Sequence, residues 1–342
     1  MKEEPLLSIC ISSYNKGQKC KDLVSKILSL DDDRIDIVVC DDCSDENTQD
    51  CLRSIEQRRV KVYINSSNIG ACPNWYETID HGDGKYLLHV LDRDYIDIEV
   101  LKDFVNKLEL YNAGVGYIGN IWANPRKRTA KKSVEIYDAG EKTVAEIGGI
   151  PIHPTGFFVR RDEWNRGEYK KYFYNEHKYG IYPHSYLMGI IGLNRKVFIF
   201  QRKFCRYVYS QSSKSRFYQG KHNIKYWWEP ESIFDTSEKM LFILCKNFLH
   251  DSYRTELIEN IFIDSIFRGT VEYKNELLNK RQMSHYSLKT KNVSLEKLFL
   301  INTVYTYRFL RFLYKNEFLS SKMQMKILKV ACVNVKDIIK YY

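Results

Sequence analysis

Asp92 and Asp94 flank Arg93 just after a short apolar run, Tyr86 to Leu91, that only His89 interrupts. Two carboxylates one residue apart can share a divalent cation. Alternatively, one takes a ribose hydroxyl while the other takes the cation. The run follows a Gly82-Asp-Gly84 turn, and its length suits a buried strand. Ligands of open α/β sheets bind at the C-terminal ends of the strands, which is where this pair would lie. An acidic turn after a strand is the plainer reading of Asp-x-Asp alone, so the preceding sequence has to decide.

That sequence alternates strand and helix patterns. Residues 6–13 are a compact apolar run, and the loop Tyr14-Asn15-Lys16-Gly17 follows it. Residues 18–30 place Leu23, Ile27, Leu28 and Leu30 close to helical spacing. A second strand at 35–40 leads into Asp41-Asp42-Cys43-Ser44-Asp45, where Ser44 or Asp45 can cap a helix running to about residue 58. A third strand spans 60–64, and the polar stretch 65–74 carries Gly70 and Pro73, the latter suited to a first helical turn. Such alternation predicts an α/β domain with a mostly parallel sheet and helices on both faces. Beyond it the sequence predicts a helix at 98–111, a strand at 114–122, a basic irregular segment at 125–132 and a short helix at 143–149.

Four stretches in order carry a family resemblance: Leu7-Ser-Ile-Cys-Ile-Ser-Ser-Tyr-Asn-Lys16, Ile37-Val-Val-Cys-Asp-Asp-Cys-Ser-Asp45, Asn68-Ile-Gly-Ala-Cys-Pro-Asn74 and Gly84-Lys-Tyr-Leu-Leu-His-Val-Leu-Asp-Arg-Asp94. No one stretch is specific, but the ordered set resembles the inverting, nucleotide-sugar-dependent glycosyltransferases of family 2, with the GT-A fold. It covers residues 5–210, more loosely after Asp97. It implies a nucleoside-diphosphate sugar donor, with UDP expected, and a Mn²⁺ or Mg²⁺ ion. Ser13, Tyr14 and Asn15 would line the nucleotide, with the Tyr14 ring stacking on the base. Asp42 would accept from uracil N3–H while Asp41 positions the loop. Asn68, Gly70 and Asn74 resemble the loop on the donor-sugar or ribose side; an ordinary Gly-Pro turn is the alternative. Asp92 would face the ribose or donor sugar and share the metal with Asp94, and Arg93 would touch phosphate or remain a surface charge. Tyr95 departs from the pattern, since many members carry a further Asp there. A second departure concerns the general base. The carboxylate expected near a helix start is replaced by His184 in Ile181-Tyr-Pro-His-Ser-Tyr-Leu187, with Glu176 as its rival. Residues 152–161 resemble the strand that borders the acceptor site in this family, and His153 within them is either a further site residue or a structural histidine.

The chain has 342 residues, 44% hydrophobic and 28% charged, which suits a globular protein of one or two domains. We expect a division into 1–225, holding a nucleotide-sugar half (1–97) and an acceptor half (98–225), and a helical region 226–342. The formal charge of +10 suits phosphates, an acidic membrane surface or nucleic acid. Its dispersal, with no binding module, argues against nucleic acid. A nucleotidyltransferase would need a Gly-rich phosphate loop after the first strand, which Tyr14 to Gly17 is not. Nine scattered cysteines, including an isolated Cys40-x-x-Cys43, read as reduced thiols of a cytosolic protein. The N-terminus has no signal pattern, and no apolar run approaches the roughly 20 residues that span a bilayer. Cytoplasmic location is therefore expected, with a glycan or lipid-linked acceptor and peripheral contact with the inner membrane. Residues 234–247, 254–268 and 295–341 have helical apolar spacing. In the last, Arg308, Arg311 and Lys315 are interleaved with aromatics, which suits an acidic membrane or packing against the catalytic part or a second subunit.

Overall fold

The computed structural model describes residues 4–119, 133–149, 152–167, 183–206, 226, 228–285 and 288–342. Strands β1 (Leu7–Ser13) and β2 (Ile35–Asp41) are buried nearly throughout. Such runs occur where a sheet is covered on both faces. With β3 (Val60–Ile64) and β4 (Tyr86–Leu91) they form a parallel unit in which Leu7 lies opposite both Ile35 and Tyr86. The crossovers are α1 (Gly17–Leu28), α2 (Glu46–Arg53) and α3 (Ala71–Asp80). The chain then forms β5 (Tyr95–Ile96), α4 (Ile98–Tyr111), β6 (Val115–Ile118), β7 (Val134–Tyr137), α5 (Glu141–Ile147), β8 (Phe157–Arg160), α6 (Arg161–Arg166), α7 (Pro183–Gly192), β9 (Val197–Phe200) and β10 (Cys205–Arg206).

The sheet has eight strands in the order β3-β2-β1-β4-β8-β6-β9-β7. Strands β8 and β7 run against the others, so the sheet is mostly parallel. The first three strands step outward from β1, and the fourth returns to its other side. At such a reversal open α/β sheets bind ligands beyond the C-terminal ends of the two strands, here β1 and β4. Strands β5 and β10 pair apart from the sheet as an antiparallel ribbon.

Alternate side chains of a strand enter opposite faces. Ile9 and Ile11 of β1 join Leu88 and Val90 of β4 in a core with α1 and α4. Cys10 and Leu87 enter the other core, with α3, α5 and α7. The C-terminal helices are α8 (Pro230–Cys245), α9 (Asp251–Phe267), α10 (Tyr273–Leu278), α11 (Lys280–His285), α12 (Leu295–Lys315) and α13 (Ser321–Tyr341). Of these, α8, α9, α12 and α13 extend this second core, whereas Tyr273 and Leu277 of α10 pack against a small separate cluster of Val271, Val293, Leu298 and Ile338. Phe234, Phe262, Phe309 and Ile327 belong to the same buried cluster as Leu87 and Leu187. Each such side chain contributes roughly 1.5–3 kcal/mol by leaving water. The expected boundary at residues 225 and 226 therefore has one core on both sides of it, and 207–225 lie outside the described residues.

Several expected boundaries shift. The helix after β2 stops at Arg53, short of 58, and Asp45 rather than Ser44 caps it, accepting from the Thr48 N–H at 3.1 Å. The strand expected over 152–161 is confined to Phe157–Arg160, because Gly156 turns the chain with φ of 108°. The strand expected over 114–122 is described as Val115–Ile118, and 120–122 lie outside the described residues. The helical spacing over 295–341 is divided between two helices, α12 and α13. Glu317 adopts a φ of 59°, and the Ser320 hydroxyl caps α13 by accepting from Met323 N–H at 3.2 Å.

Candidate functional site

The loop after β1 is bound to the loops after β2 and β4. Tyr14 N–H donates to Asp92 Oδ2 at 3.0 Å, and Asn15 N–H to the Ser44 hydroxyl at 2.8 Å. Asn15 takes a left-handed φ of 53°, which asparagine tolerates, and the turn leaves the Tyr14 side of the loop partly exposed at 37%. Ser13 is buried at the end of β1, and its carbonyl accepts from Asp42 N–H at 2.9 Å. Asp41 faces its own loop: Ser44 N–H and hydroxyl donate to its two oxygens at 2.8 and 2.5 Å.

Asp42 organises the next loop. Its carboxylate accepts from Ile69 N–H at 2.8 Å, Gly70 N–H at 2.9 Å and the Asn65 amide at 3.3 Å. Its carbonyl accepts from Asn68 Nδ2 at 3.0 Å. Gly70 has a φ of 95°, a conformation glycine adopts without the Cβ penalty, and this aims its N–H at the carboxylate. Asn74 is buried and donates to the Cys40 carbonyl at 3.1 Å, holding α3 to the end of β2. Burial pushes the Asp42 carboxyl upward, against the three hydrogen bonds that favour its ionised form.

At the end of β4 the two carboxylates diverge. Asp92 is turned toward the β1 loop through Tyr14; burial raises its pKa, while Arg93 and the Tyr14 N–H oppose that. Asp94 is turned toward the 152–156 loop, where the Thr155 hydroxyl donates to its Oδ2 at 2.5 Å and accepts from Leu91 N–H at 3.0 Å. His153 Nδ1 stands 3.7 Å from the same oxygen. Donor atoms of Asp94, His153 and Cys205 all lie within 4.8 Å of one another. A carboxylate, an imidazole and a thiol form a donor set able to hold a divalent cation. Asp94 was expected there, and His153 was read as either a site residue or a structural histidine. Cys205 was not, because a two-residue antiparallel pairing, which leaves no pattern in the sequence, carries it to Asp94. The expectation that Asp92 shares the cation differs from this grouping, which contains Asp94 alone of the pair.

Two buried histidines, His89 and His184, brace the 152–156 loop. His89 Nδ1–H donates to the Pro154 carbonyl at 3.2 Å, so its Nε2 accepts from the Ser12 hydroxyl at 2.9 Å. His184 Nε2–H donates to the Ile152 carbonyl at 2.6 Å, and its ring lies 6.2 Å from those of Trp75 and Phe157. His184 is 1% exposed, and burial pushes its pKa down to about 4. It lies within the core that supports the loop. Burial likewise pushes His89 and His153 down to about 3, with Arg93 adding to the effect on His153. Glu176, the basic segment 125–132 and residues 181–182 lie outside the described residues.

The sequence model for glycosyl transferase family 2 matches residues 8–191. A Bacillus subtilis (strain 168) protein described as a teichuronic acid biosynthesis glycosyltransferase, TuaG, is 29% identical over 93 residues, 27% of this chain and 36% of that protein. An Escherichia coli (strain K12) protein described as a colanic acid biosynthesis glycosyl transferase, WcaA, is 28% identical over 96 residues, 28% of this chain and 34% of that protein. The matches thus span about a third of each curated relative. Among solved structures, Staphylococcus aureus TarS is similar with a TM-score of 0.54 at 15% identity, covering 98% of this chain and 55% of TarS. TarS 1–349 in complex with UDP gives 0.53 at 16% identity, covering 98% and 88%. Mannosyltransferase PcManGT from Pyrobaculum calidifontis in complex with GDP-Man and Mn²⁺ gives 0.51 at 12% identity, covering 98% and 88%. At these identities the likeness is one of fold.

Proposed function

The chain belongs to glycosyl transferase family 2 and has the GT-A fold, and on that premise we propose that it moves a sugar from a nucleoside diphosphate, UDP by preference, to a hydroxyl of a growing glycan. One observation carries this. Tyr14, the loop that Asp42 holds, Asp92 and Asp94 converge at the switch point of the sheet, where a base, a ribose and a diphosphate can lie side by side. The curated relatives are described by teichuronic acid and colanic acid biosynthesis, which supports a bacterial surface polysaccharide as the acceptor class. The fold neighbours in complex with UDP and with GDP-Man and Mn²⁺ support a nucleotide sugar and a divalent cation.

In this reading the Tyr14 ring stacks on the base, with Ser13 and Asn15 shaping the loop. Asp42 and the Asn68–Gly70 backbone read the base edge or ribose, Asn74 supports them, and Asp92 takes a ribose or sugar hydroxyl. Arg93 contacts the diphosphate. Asp94 is the anchor for a divalent cation, which when bound offsets the charge gathering on the leaving diphosphate. A general base removes the acceptor proton as the hydroxyl attacks the anomeric carbon, inverting it. We assign that base to Glu176, because His184 donates its Nε2–H to a core carbonyl and is buried. Residues 1–225 make the transferase unit and 226–342 an appended helical layer. Among the described residues no helix is long and apolar enough to cross a membrane. We place the protein on the cytoplasmic face by peripheral contact, or as a homodimer, through the outer surface of α12 and α13.

Thermal unfolding with a panel of nucleotide sugars tests the donor. A ligand at about 100 times its Kd adds about 2.7 kcal/mol of stability, which moves the midpoint by some degrees. UDP-sugars should protect and GDP-sugars should not. Protection by no nucleotide sugar, with or without Mn²⁺, would remove the reading, and equal protection by both would remove the uridine preference.

A further inference from the structure

We propose that Cys205 and His153 join Asp94 as ligands of the cation, making a mixed sulfur, nitrogen and oxygen site that selects a transition-metal ion over Mg²⁺. This rests on the reading that Asp94 anchors a divalent cation. Three separate parts of the chain supply the donors, and each is fixed by contacts of its own. Asp94 follows β4, where its N–H donates to the Leu91 carbonyl at 3.1 Å and Thr155 holds its carboxylate. His153 lies in the loop whose carbonyls at Ile152 and Pro154 are gripped by His184 and His89. Cys205 lies on β10, where it pairs with Ile96 while Arg206 pairs with Tyr95. Asp97 N–H donates to the Phe204 carbonyl at 2.7 Å, and the Arg206 guanidinium lies 5.0 Å over the Tyr95 ring. The ribbon therefore brings the thiol to the turn that carries Asp94.

The distances suit a common ion. Bonds of about 2.0–2.3 Å to nitrogen, oxygen and sulfur put neighbouring donors roughly 3–4 Å apart. The three donor atoms fall within 4.8 Å, and the imidazole nitrogen is 3.7 Å from the carboxylate oxygen. A small rotation of partly exposed side chains closes the rest. An ion on His153 Nδ1 would replace the 3.2 Å hydrogen bond that this nitrogen accepts from Thr155 N–H. The Thr155 hydroxyl is the outer partner that orients the ligating carboxylate, as metal sites commonly require.

The donor types give the preference. Mg²⁺ is selective for oxygen and keeps its water, whereas imidazole and thiolate suit Zn²⁺ and Co²⁺. Two waters or diphosphate oxygens could complete the shell, so the site can act with a nucleotide sugar.

Cobalt reports the ligands directly. Full-length protein titrated with Co²⁺, without nucleotide, should bind one equivalent and develop a thiolate-to-cobalt charge-transfer band in the near ultraviolet. Cys205→Ser should lose that band and bind Co²⁺ about tenfold or more weakly, while its metal-free unfolding midpoint stays that of the wild type. His153→Ala should weaken Co²⁺ similarly but keep the band. Cys205→Asp, which restores a charged donor, should bind Mn²⁺ and Mg²⁺ more tightly relative to Zn²⁺ by calorimetry. Co²⁺ binding that Asp94→Asn weakens, with no thiolate band or with one that survives Cys205→Ser, would overturn the proposed ligand set and leave the Asp94 cation intact. No binding of Co²⁺, Zn²⁺ or Mn²⁺ to the wild type, with or without UDP, would overturn both.

Discussion

Asp42 and His184 are both buried ionisable residues, but they have different duties. Asp42 keeps two backbone N–H groups satisfied in a loop that glycine alone lets approach. An asparagine there offers one oxygen, and its amide would face the second N–H donor to donor. Hydrogen bonds to a charged group contribute about 1.5–3 kcal/mol each, so Asp42→Asn should lower stability by that order. It should also weaken UDP binding, and calorimetry checks this; unchanged affinity would mean the loop conformation does not matter to the donor. His184 gives a prediction in pH. Its folded pKa is about 4 against an unfolded value near ~6.5, so it binds a proton more readily unfolded. The stability it contributes is present above ~6.5 and is lost as pH falls toward about 4. The size is roughly 3 kcal/mol for a shift of that order. His184→Gln keeps an N–H for the Ile152 carbonyl and does not titrate. Denaturant unfolding between pH ~7 and ~4 should therefore show a shallower decline in the variant. Its transfer rate should stay within a few-fold of wild type, whereas Glu176→Gln should lose about 10²–10⁴-fold if that carboxylate is the base. Normal turnover in Glu176→Gln would sink the base assignment.

At the scale of elements, the 152–156 loop decides where Thr155 and His153 point. Gly156 sets its exit with φ of 108°, and a Cβ there would meet the Ile118 carbonyl oxygen at 2.2 Å. Backbone cannot retreat as a flexible side chain can, and the conformation itself disfavours L side chains. Gly156→Ala should therefore destabilise by about 1–3 kcal/mol or more, read by denaturant unfolding, and lower metal affinity along with it. A variant of wild-type stability would show that the loop can adopt another path. The elements up to β4 were legible because each announces itself by a local rule. Apolar runs mark strands buried on both faces, a carboxylate at Asp45 caps α2, and acids follow β4. The elements beyond it were less so. Strand β8 is four residues long and runs against its neighbours, and β5 and β10 have two residues each, too short for any periodicity to register. Cys205 therefore had no signal linking it to Asp94. His184 was placed by alignment to a carboxylate position, and alignment carries no information about burial. The break between α12 and α13 carries local signals, Asn316 after the last turn and the capping Ser320, although the residue of positive φ in the turn, Glu317, is not a glycine.

For the whole molecule, the C-terminal layer presents a core face and an outer face. Phe309, Leu313, Ile327 and Val330 lie in the core shared with the sheet, and Arg308 pairs inward with Asp235 and Glu238. Deleting residues 295–342 would therefore open the sheet-side core, and a truncated protein would report on unfolding rather than on the outer surface. That surface has its own pattern. Leu300, Val304, Tyr307 and Tyr314 recur at helical spacing on α12 and are 62%, 49%, 67% and 74% exposed. Met325 and Ile339 on α13 are 67% and 60% exposed. Around them Arg311, Lys315, Lys329 and Lys336 are exposed, while Glu317 is an exposed acid nearby. Aromatic and aliphatic side chains set among cations suit an anionic lipid surface, to which each basic residue contributes about 1 kcal/mol near the headgroups. Reversing charge at three outer positions, Arg311→Glu, Lys315→Glu and Lys329→Glu, leaves the shared core untouched and should preserve the unfolding midpoint. The variant should sediment with phosphatidylglycerol vesicles at least about tenfold less than the wild type, and raising salt should weaken the wild type in the same direction. Equal sedimentation of variant and wild type, or none by either, would remove the membrane from this face. A dimer that light scattering finds in the wild type and not in Tyr307→Ser with Tyr314→Ser would assign the face to a second copy of the chain instead.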